Sequence, residues 1–302
     1  MLKGASGSTT LVLLPTQQVY HKGQNRFGFG VFTRSAKKQV ADAQVALYVA
    51  KAPPPGQVPT PKANGASAGK GPESKLAVEL GNPARGPYPA KVESLATESA
   101  FTAKTTADDP DAGKVVYTTE INLPSNGEWR IGALIKDGDK LSASVLPSAT
   151  VGQFNDIPQV GQRPPHIHTP TPATVGGDLG KLTTRLPPER MNKVDFADVL
   201  GKKPIVLLFA TPQFCQSRVC GPVVDEAAQV QRDFGDKAEF IHMEIYNDND
   251  PGKGARPQVR AFHLPSEPWL FAIDRNGVVR DAVEGAFGLK LLHEAVEKAV
   301  SG

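Results

Sequence analysis

The sequence predicts two domains of different classes: an all-β sandwich, followed by an α/β domain with a mixed sheet in the order β-α-β…β-β-α. Apolar residues alternate with polar ones in several short segments of the first half, as in strands with one buried face. Residues 204–209 instead form a continuous apolar run, which is typical of a strand covered on both faces. The length of 302 residues also favours two domains.

The sandwich is predicted over residues 9–154. Alternation is clear at 27–31, 45–49 and 129–135, and turn-forming Gly and Asn residues separate these segments. Near residues 52–74 the chain contains mainly Pro, Gly, Ala and Lys, which cannot bury enough apolar surface to offset the entropy lost on ordering. We therefore expect a disordered insertion in the sandwich there.

A Pro-rich linker is predicted over residues 155–190, because frequent prolines keep a chain extended and semi-stiff. The α/β domain is predicted over residues 191–302. Its further elements are a helix with apolar residues at Val223, Ala227, Val230 and Phe234, strands at 240–245, 269–273 and 278–283, and a closing helix at 289–299. An Asn-Gly pair that begins at Asn276 marks a hairpin between the last two strands.

The composition argues against two classes of partner. The 34 basic and 31 acidic residues leave a net charge of +3, and no basic block carries interleaved aromatic residues, so we expect no binding to nucleic acid. The longest apolar run, at 205–210, is much shorter than the ~18 residues that a membrane span needs. Residues 1–10 are rich in Gly, Ser and Thr and lack the apolar core of a signal peptide.

Cys215 and Cys220 are the only cysteines in the chain. Two cysteines are too few for a disulfide scaffold or a structural zinc site, so they form a local pair or none. On a regular helix, positions five apart diverge by about 140°, and their Cα atoms exceed the limit of about 7 Å for a disulfide. The pair therefore requires Cys215 in the loop before a helix and Cys220 in its first turn, or else local unwinding.

The first of these two arrangements is favoured by Gly221-Pro222, because proline is common in the first turn of a helix. We predict that the helix begins near Pro222 and that both thiols lie at its N-terminal approach. Unpaired N–H groups and the helix dipole stabilise a thiolate there, and Arg218 adds a positive charge nearby.

The C-terminal domain resembles the thioredoxin-like superfamily, particularly its extracytoplasmic TlpA-type and redoxin branch. Residues 204–215 resemble the strand and loop that carry a thioredoxin's first cysteine to a helix N-terminus. Residues 267–277 resemble its segment with a cis-proline, a strand and an Asp-x-x-Gly hairpin, and 289–300 its last helix. The chain departs from the family in spacing, because four residues rather than two separate Cys215 from Cys220.

The resemblance implies a thiol–disulfide oxidoreductase of cell redox homeostasis that acts on protein substrates. Its Cys-x4-Cys pair would form a reversible disulfide, with no other cofactor. Cys215 would attack the substrate, and Cys220 would resolve the mixed disulfide.

Three further residues acquire roles from the same resemblance. Pro268, in cis, would align the substrate backbone beside the sulfur. Glu267 and Trp269 would shape specificity on either side of that proline. A carboxylate at Glu267 would also oppose ionisation, because a nearby negative charge raises the pKa of a thiol.

Non-catalytic alternatives remain open. In one, the domain is a thioredoxin-like scaffold with a structural disulfide, and the protein binds a partner. In another it binds copper through Cys215, Cys220 and His263, because thiolates and imidazole suit Cu(I). A peroxiredoxin is disfavoured because Thr211-Pro212 precedes Cys215 by one residue too many. His242 lies between Ile241 and Met243 on a predicted central strand and is expected to be a hydrogen-bonded core residue.

The N-terminal segments 23–27 and 123–130 resemble those of immunoglobulin-like modules on bacterial exported proteins. This likeness implies a domain that docks a protein partner or acts as a spacer. Together the two resemblances imply a bacterial protein outside the cytoplasmic membrane. We expect it to be secreted or to be anchored as a lipoprotein, with the export signal or anchor outside this sequence.

Overall fold

The computed structural model describes residues 11–35, 38–53, 71–80 and 83–302. They fall into two compact units. The first unit comprises the described residues up to Glu93 together with Tyr117–Phe154, and the second comprises Ser94–Val116 with Asn155–Gly302. Two predicted boundaries therefore differ from the structure. Residues 94–116 group with the second unit instead of the sandwich, and residues 155–190 are part of that unit instead of a linker.

The first unit is built on two four-stranded sheets within the described residues, in the orders β1-β2-β6-β5 and β4-β3-β7-β8. The elements are β1 (Leu11–Pro15), β2 (Gly23–Thr33), β3 (Gln44–Lys51), α1 (Pro72–Leu80), β4 (Arg85–Pro89), β5 (Lys91–Ser94), β6 (Val115–Leu123), β7 (Gly127–Asp137) and β8 (Lys140–Val151). Alternate residues of β2 and β7, such as Phe27, Phe29 and Ile131, are fully buried. The alternation in the sequence thus predicted these strands correctly.

Most of the predicted insertion at 52–74 and all of the segment 1–10 lie outside the described residues. The last residues of the predicted insertion are helical instead of disordered, because α1 begins at Pro72. Leu76 and Leu80 of this helix are buried in a cluster with Ala50. These two leucines bury apolar surface of a kind that is scarce in the composition of residues 52–70.

The second unit has a thioredoxin-like fold. Its elements are α2 (Lys104–Ala107), α3 (Phe196–Val199), β9 (Ile205–Phe209), α4 (Cys220–Phe234), β10 (Glu239–Met243), α5 (Pro257–Ala261), β11 (Trp269–Ile273), β12 (Val279–Glu284) and α6 (Leu289–Ser301). The sheet order is β10-β9-β11-β12; β10 is parallel to β9, and the other pairs are antiparallel. This arrangement confirms the predicted mixed sheet.

Strand β9 is buried along its whole length, as its unbroken apolar run predicted. Val206 and Leu208 pack in one core cluster with the buried faces of α4 and α6. Phe209 contributes to a group of aromatic rings with Phe262 and Phe271, at centroid distances of 5.0 and 6.2 Å. No helix among the described residues is long and apolar enough to span a membrane.

Residues 155–190 belong to the second unit because their backbone and apolar groups bond and pack there. Gly161 donates to the carbonyl of Val279 at 2.8 Å, and Val279 donates back to Gln162 at 2.9 Å. Ile157 and Leu182 are buried. A Pro-rich composition predicted an extended chain, but it did not show that this chain satisfies its polar groups against the α/β unit.

Residues 94–116, which we call the strap, contact helix α4, and from Glu98 to Ala103 they run from its C-terminal part toward its N-terminus. The amide of Glu98 donates to the Gln229 side chain at 2.8 Å, and the amide of Ala103 donates to Asp225 at 3.0 Å. The strap thus reaches the N-terminal end of α4, where the two cysteines lie.

Candidate functional site

Cys215 and Cys220 are joined by a disulfide, with their Cα atoms 5.9 Å apart. This separation lies within the ordinary range for a disulfide. Cys220 is the first residue of α4, and Cys215 lies in the loop before it. The arrangement with Cys220 in the first turn is therefore confirmed, and the helix begins two residues before Pro222.

The two cysteine residues differ in exposure. Cys220 is 0% exposed, whereas Cys215 is half-buried. The Sγ atom of Cys215 accepts the amide N–H of Cys220 at 3.3 Å and lies 3.2 Å from the Ser217 hydroxyl. A molecule from solution can therefore reach Cys215, whose sulfur has two polar neighbours that would stabilise a thiolate. Ser217 was missed in the sequence, although a hydroxyl residue two positions after the cysteine could have indicated it.

A cis peptide joins Glu267 to Pro268, as the resemblance implied. Pro268 is buried and directly precedes β11. Because Trp269 of β11 pairs with Phe209 of β9, the proline lies beside the end of the strand that leads into the cysteine loop. The carbonyl of Pro268 accepts the amide of Gly285 at 2.8 Å, which attaches this segment to the end of β12.

Glu267 is half-buried, and burial raises the pKa of its carboxyl group. Burial also raises the pKa of Tyr246, and the negative charge of Glu267 adds to that effect. The Tyr246 ring meets the ring of Phe214 edge to face at 6.4 Å. Glu267 is thus connected through Tyr246 to the residue next to Cys215.

Trp269 was predicted to shape specificity, but its side chain lies in the core. The residue is 3% exposed, its ring stacks on Phe271 at 5.6 Å, and its indole N–H donates to the Ser266 hydroxyl at 3.2 Å. Trp269 begins a strand that is buried throughout, so its side chain belongs to the core.

Arg218 lies between the cysteines, as the sequence shows, but its charge is engaged by the strap. Its Nη1 atom lies 2.8 Å from an Asp111 carboxylate oxygen and 3.4 Å from one of Asp109. Neither aspartate could be predicted as a partner, because more than a hundred residues separate them from Arg218. The two carboxylates reduce the charge that Arg218 can offer to a thiolate on Cys215.

A cleft of about 310 Å³ opens at the disulfide. Its lining includes Cys215, Phe214, Gln213, Arg218, Asp109 and Thr106. The strap contributes one wall of this cleft, and the loop before α4 contributes the other. The sequence predicted only the second wall.

The copper ligands suggested by the sequence are not gathered in this structure. His263 is exposed, and Cys215 and Cys220 are bonded to each other. Among residues 11–35, 38–53, 71–80 and 83–302, no three His, Cys, Asp or Glu side chains lie close enough together to hold a metal ion.

A buried polar layer fixes the loop that leads to Cys215. Glu244 accepts hydrogen bonds from the amide and the hydroxyl of Thr184 at 2.6 and 2.7 Å. The hydroxyl oxygen of Thr184 accepts the amide of Gln213 at 3.2 Å. This chain of contacts attaches the residue two positions before Cys215 to an acid in the interior.

His242 is a buried, hydrogen-bonded residue, as predicted, although its strand lies at the edge of the sheet and not at its centre. Its Nδ1 lies 2.7 Å from Glu189, and its Nε2 lies 3.1 Å from the carbonyl of Ala210. Burial alone would lower the pKa of His242, but the charge of Glu189 and their hydrogen bond raise it. Burial would likewise raise the pKa of Glu189, but His242 lowers it.

The Glu189–His242 pair should make stability depend on pH. The contribution of His242 is complete below its unfolded pKa of about 6.5 and is lost as pH rises through its raised folded pKa. The contribution of Glu189 is complete above its unfolded pKa of about 4.3 and is lost as pH falls through its lowered folded pKa.

We therefore expect Glu189→Gln to lower the free energy of unfolding most near pH 5.5 and progressively less at pH 7 to 9. Urea unfolding of the variant and the wild type across this pH range measures the difference. A loss of stability that does not change with pH would contradict the prediction.

No family model and no curated protein matches the chain. The solved structures that are similar to part of it include the following two. One is described as a thiol:disulfide interchange protein, DsbE, from Chlorobium tepidum: it is 18% identical, and the alignment covers 47% of this chain and 99% of that one with a TM-score of 0.31. The other is described as a thioredoxin-like superfamily protein. It is 18% identical, and the alignment covers 37% of this chain and 89% of that one with a TM-score of 0.29. The fold assignment therefore depends on the strand order and the helix positions described above.

Proposed function

We propose that the second unit is a thiol–disulfide oxidoreductase that exchanges disulfides with protein substrates through Cys215 and Cys220. One observation carries the proposal, namely the difference in exposure between the two bonded cysteine residues, of which only Cys215 lines the cleft. Cys215 is half-buried in the cleft, whereas Cys220 is fully buried at the first position of α4. Such a pair lets a substrate react at one sulfur while the other is reserved for the intramolecular step.

In the reducing direction, the Cys215 thiolate attacks one sulfur of the substrate disulfide. The substrate's S–S bond breaks, a mixed disulfide forms, and the departing sulfur takes up a proton. The Cys220 thiolate then attacks the Cys215 sulfur, which restores the protein disulfide and releases the second substrate thiol. Two electrons pass from the protein dithiol to the substrate, and the reverse sequence oxidises a substrate dithiol.

The remaining residues of the site are proposed to act on this reaction without forming bonds to sulfur. The Cys220 amide and the Ser217 hydroxyl stabilise the Cys215 thiolate. Pro268 aligns the substrate backbone, and Glu267 contacts the residues beside the substrate cysteine. Support for these roles comes from the hydrogen bonds to Cys215 and from the position of Pro268 beside the end of β9.

We further propose that the protein belongs to the TlpA-type and redoxin branch and works outside the cytoplasmic membrane of a bacterium. In this proposal it is secreted or membrane-tethered, and an immunoglobulin-like first unit docks a protein partner. Support comes from the sequence resemblances and from the two four-stranded sheets of the first unit.

The Cys215→Ser variant is expected to lose all catalysis of insulin reduction by dithiothreitol, because it lacks the cysteine that lines the cleft. The wild-type pair should titrate between about −120 and −270 mV, the range of redox-active proteins, whereas a structural bridge lies below about −300 mV. Circular dichroism of the variant serves as the folding control. Wild-type protein without activity, or an active Cys215→Ser variant, would show that the disulfide is structural.

A further inference from the structure

The strap contacts the loop between the two cysteines at three points. The Gly113 amide donates to the carbonyl of Arg218 at 2.8 Å. The Arg218 guanidinium binds Asp109 and Asp111, and Val219 is buried in a small apolar cluster that includes Leu95 of the strap. We propose that Asp109 and Asp111 are positioning residues that clamp the intercysteine loop through Arg218 and shift its redox equilibrium toward the disulfide. This inference deepens the proposed function, on which it rests.

The two aspartates act from a firmly attached support. Glu98 of the strap accepts two hydrogen bonds from the Arg232 guanidinium, at 2.7 and 3.0 Å. That guanidinium also lies 4.9 Å from the centre of the Phe101 ring. The middle of the strap is attached to α4 by the bond from the Ala103 amide to Asp225. Because these contacts precede Asp109 along the strap, the carboxylates are presented to Arg218 from a fixed direction.

The loop that they clamp has an unusual backbone. Arg218 has a φ of 58°, in the left-handed region that residues other than glycine adopt only when their surroundings hold them there. The strap also approaches this residue closely, because a Cβ atom on Gly113 would lie 3.0 Å from Val219 and 3.3 Å from the Arg218 carbonyl oxygen. The strap thus holds both the backbone and the side chain of Arg218 in the conformation that accompanies the disulfide.

The charges of Asp109 and Asp111 also favour the disulfide form over the dithiol form. Reduction creates a thiolate on Cys215, for which Arg218 is a cation within the same loop. Asp109 and Asp111 compete with the thiolate for that cation, and Asp109 lines the same cleft as Cys215. Each effect makes the reduced form less favourable, and a disulfide becomes a weaker oxidant when its reduced form is less stable.

The redox state of the cysteine pair should in turn affect how firmly the strap is docked. If the docked strap favours the disulfide, the disulfide must favour the docked strap by the same factor. We therefore expect reduction to loosen the end of the strap. The Gly113 amide, which donates to the Arg218 carbonyl, should exchange its hydrogen faster in the dithiol form than in the disulfide form.

The test measures the redox equilibrium of the full chain in dithiothreitol buffers, with thiol alkylation and mass spectrometry as the readout. Asp109→Asn/Asp111→Asn should shift the equilibrium constant about 3- to 10-fold toward the dithiol, which is about 15 to 30 mV at 29.6 mV per tenfold. Asp108→Asn is the matched control, because it removes a charge from an exposed neighbour in the same strap. In ~1 M salt, where the Debye length is about 3 Å, wild type should approach the double variant.

A double-mutant cycle tests whether the aspartates act through Arg218. Asp111→Asn should shift the equilibrium in wild type and have little effect in an Arg218→Gln background. An equal shift in both backgrounds, a shift as large in Asp108→Asn, or no shift in the double variant would each overturn the clamp. These outcomes are separate from failure of the proposed function, because the redox equilibrium is measured without a protein substrate and the Cys215→Ser assay does not involve the aspartates.

Discussion

Replacing Asp225 with alanine is expected to lower the free energy of unfolding by about 3–5 kcal/mol, because the substitution leaves a buried charge without its partner. Asp225 accepts a hydrogen bond from Nε of Arg185 at 2.8 Å, and the side chains of Arg185 and Asp225 are only 7% and 2% exposed. The alanine also removes the acceptor of the Ala103 amide. Urea unfolding at neutral pH measures the loss.

The control replaces both members of the pair with apolar residues. Burial raises the pKa of Asp225 even though the Ala103 amide and the charge of Arg185 oppose the shift. The ionised pair is therefore costly to bury, and an Arg185→Met/Asp225→Leu double variant should recover much of the stability that Asp225→Ala loses. If Asp225→Ala cost less than about 1 kcal/mol, Arg185 would have to be hydrated in the folded protein, contrary to the structure.

The Asp225→Ala substitution should also loosen the strap, since the Asp225 carboxylate accepts the amide of Ala103. An Asp225→Asn variant keeps an acceptor for that amide while it removes the negative charge. If the amide contact attaches the strap, Asn should preserve slow exchange at Ala103 and Ala should not. The comparison separates loss of the charge from loss of the hydrogen bond.

The sequence predicted those features that depend on local patterns. The continuous apolar run predicted β9, the stripe from Val223 to Phe234 predicted most of α4, and Pro222 placed the start of that helix within two residues. Alternation predicted the long strands of the first unit for the same reason, because burial on one face imposes a period of two.

Features that depend on contacts distant in sequence were missed. The strap has little periodicity, and its assignment to the second unit depends on pairs such as Glu98–Arg232 and Asp111–Arg218. Trp269 was assigned a role in substrate specificity because it follows Pro268, yet its place on a fully buried strand decides its environment. A single charged or aromatic residue can pair with many others, so its position in the sequence does not show which partner lies near it in the folded protein.

The Cys220→Ser variant is expected to accumulate a mixed disulfide between Cys215 and its substrate. Exchange at Cys215 needs only that sulfur, whereas release needs attack by Cys220 from inside the protein. Cys220 is fully buried and its amide donates to the Cys215 sulfur, so no thiol from solution occupies its position. Incubation with an unfolded protein that contains disulfides, followed by non-reducing electrophoresis, should show an adduct that dithiothreitol removes.

The reciprocal variant decides which sulfur faces the substrate. Cys215→Ser leaves Cys220 as the only thiol, at the first position of α4 and without access from solution. It should form at least tenfold less adduct than Cys220→Ser under the same conditions, since burial blocks the approach of a substrate. Similar amounts of adduct in the two variants would mean that the cysteine loop opens far enough to expose Cys220. The distinction between an attacking and a resolving sulfur would then be lost.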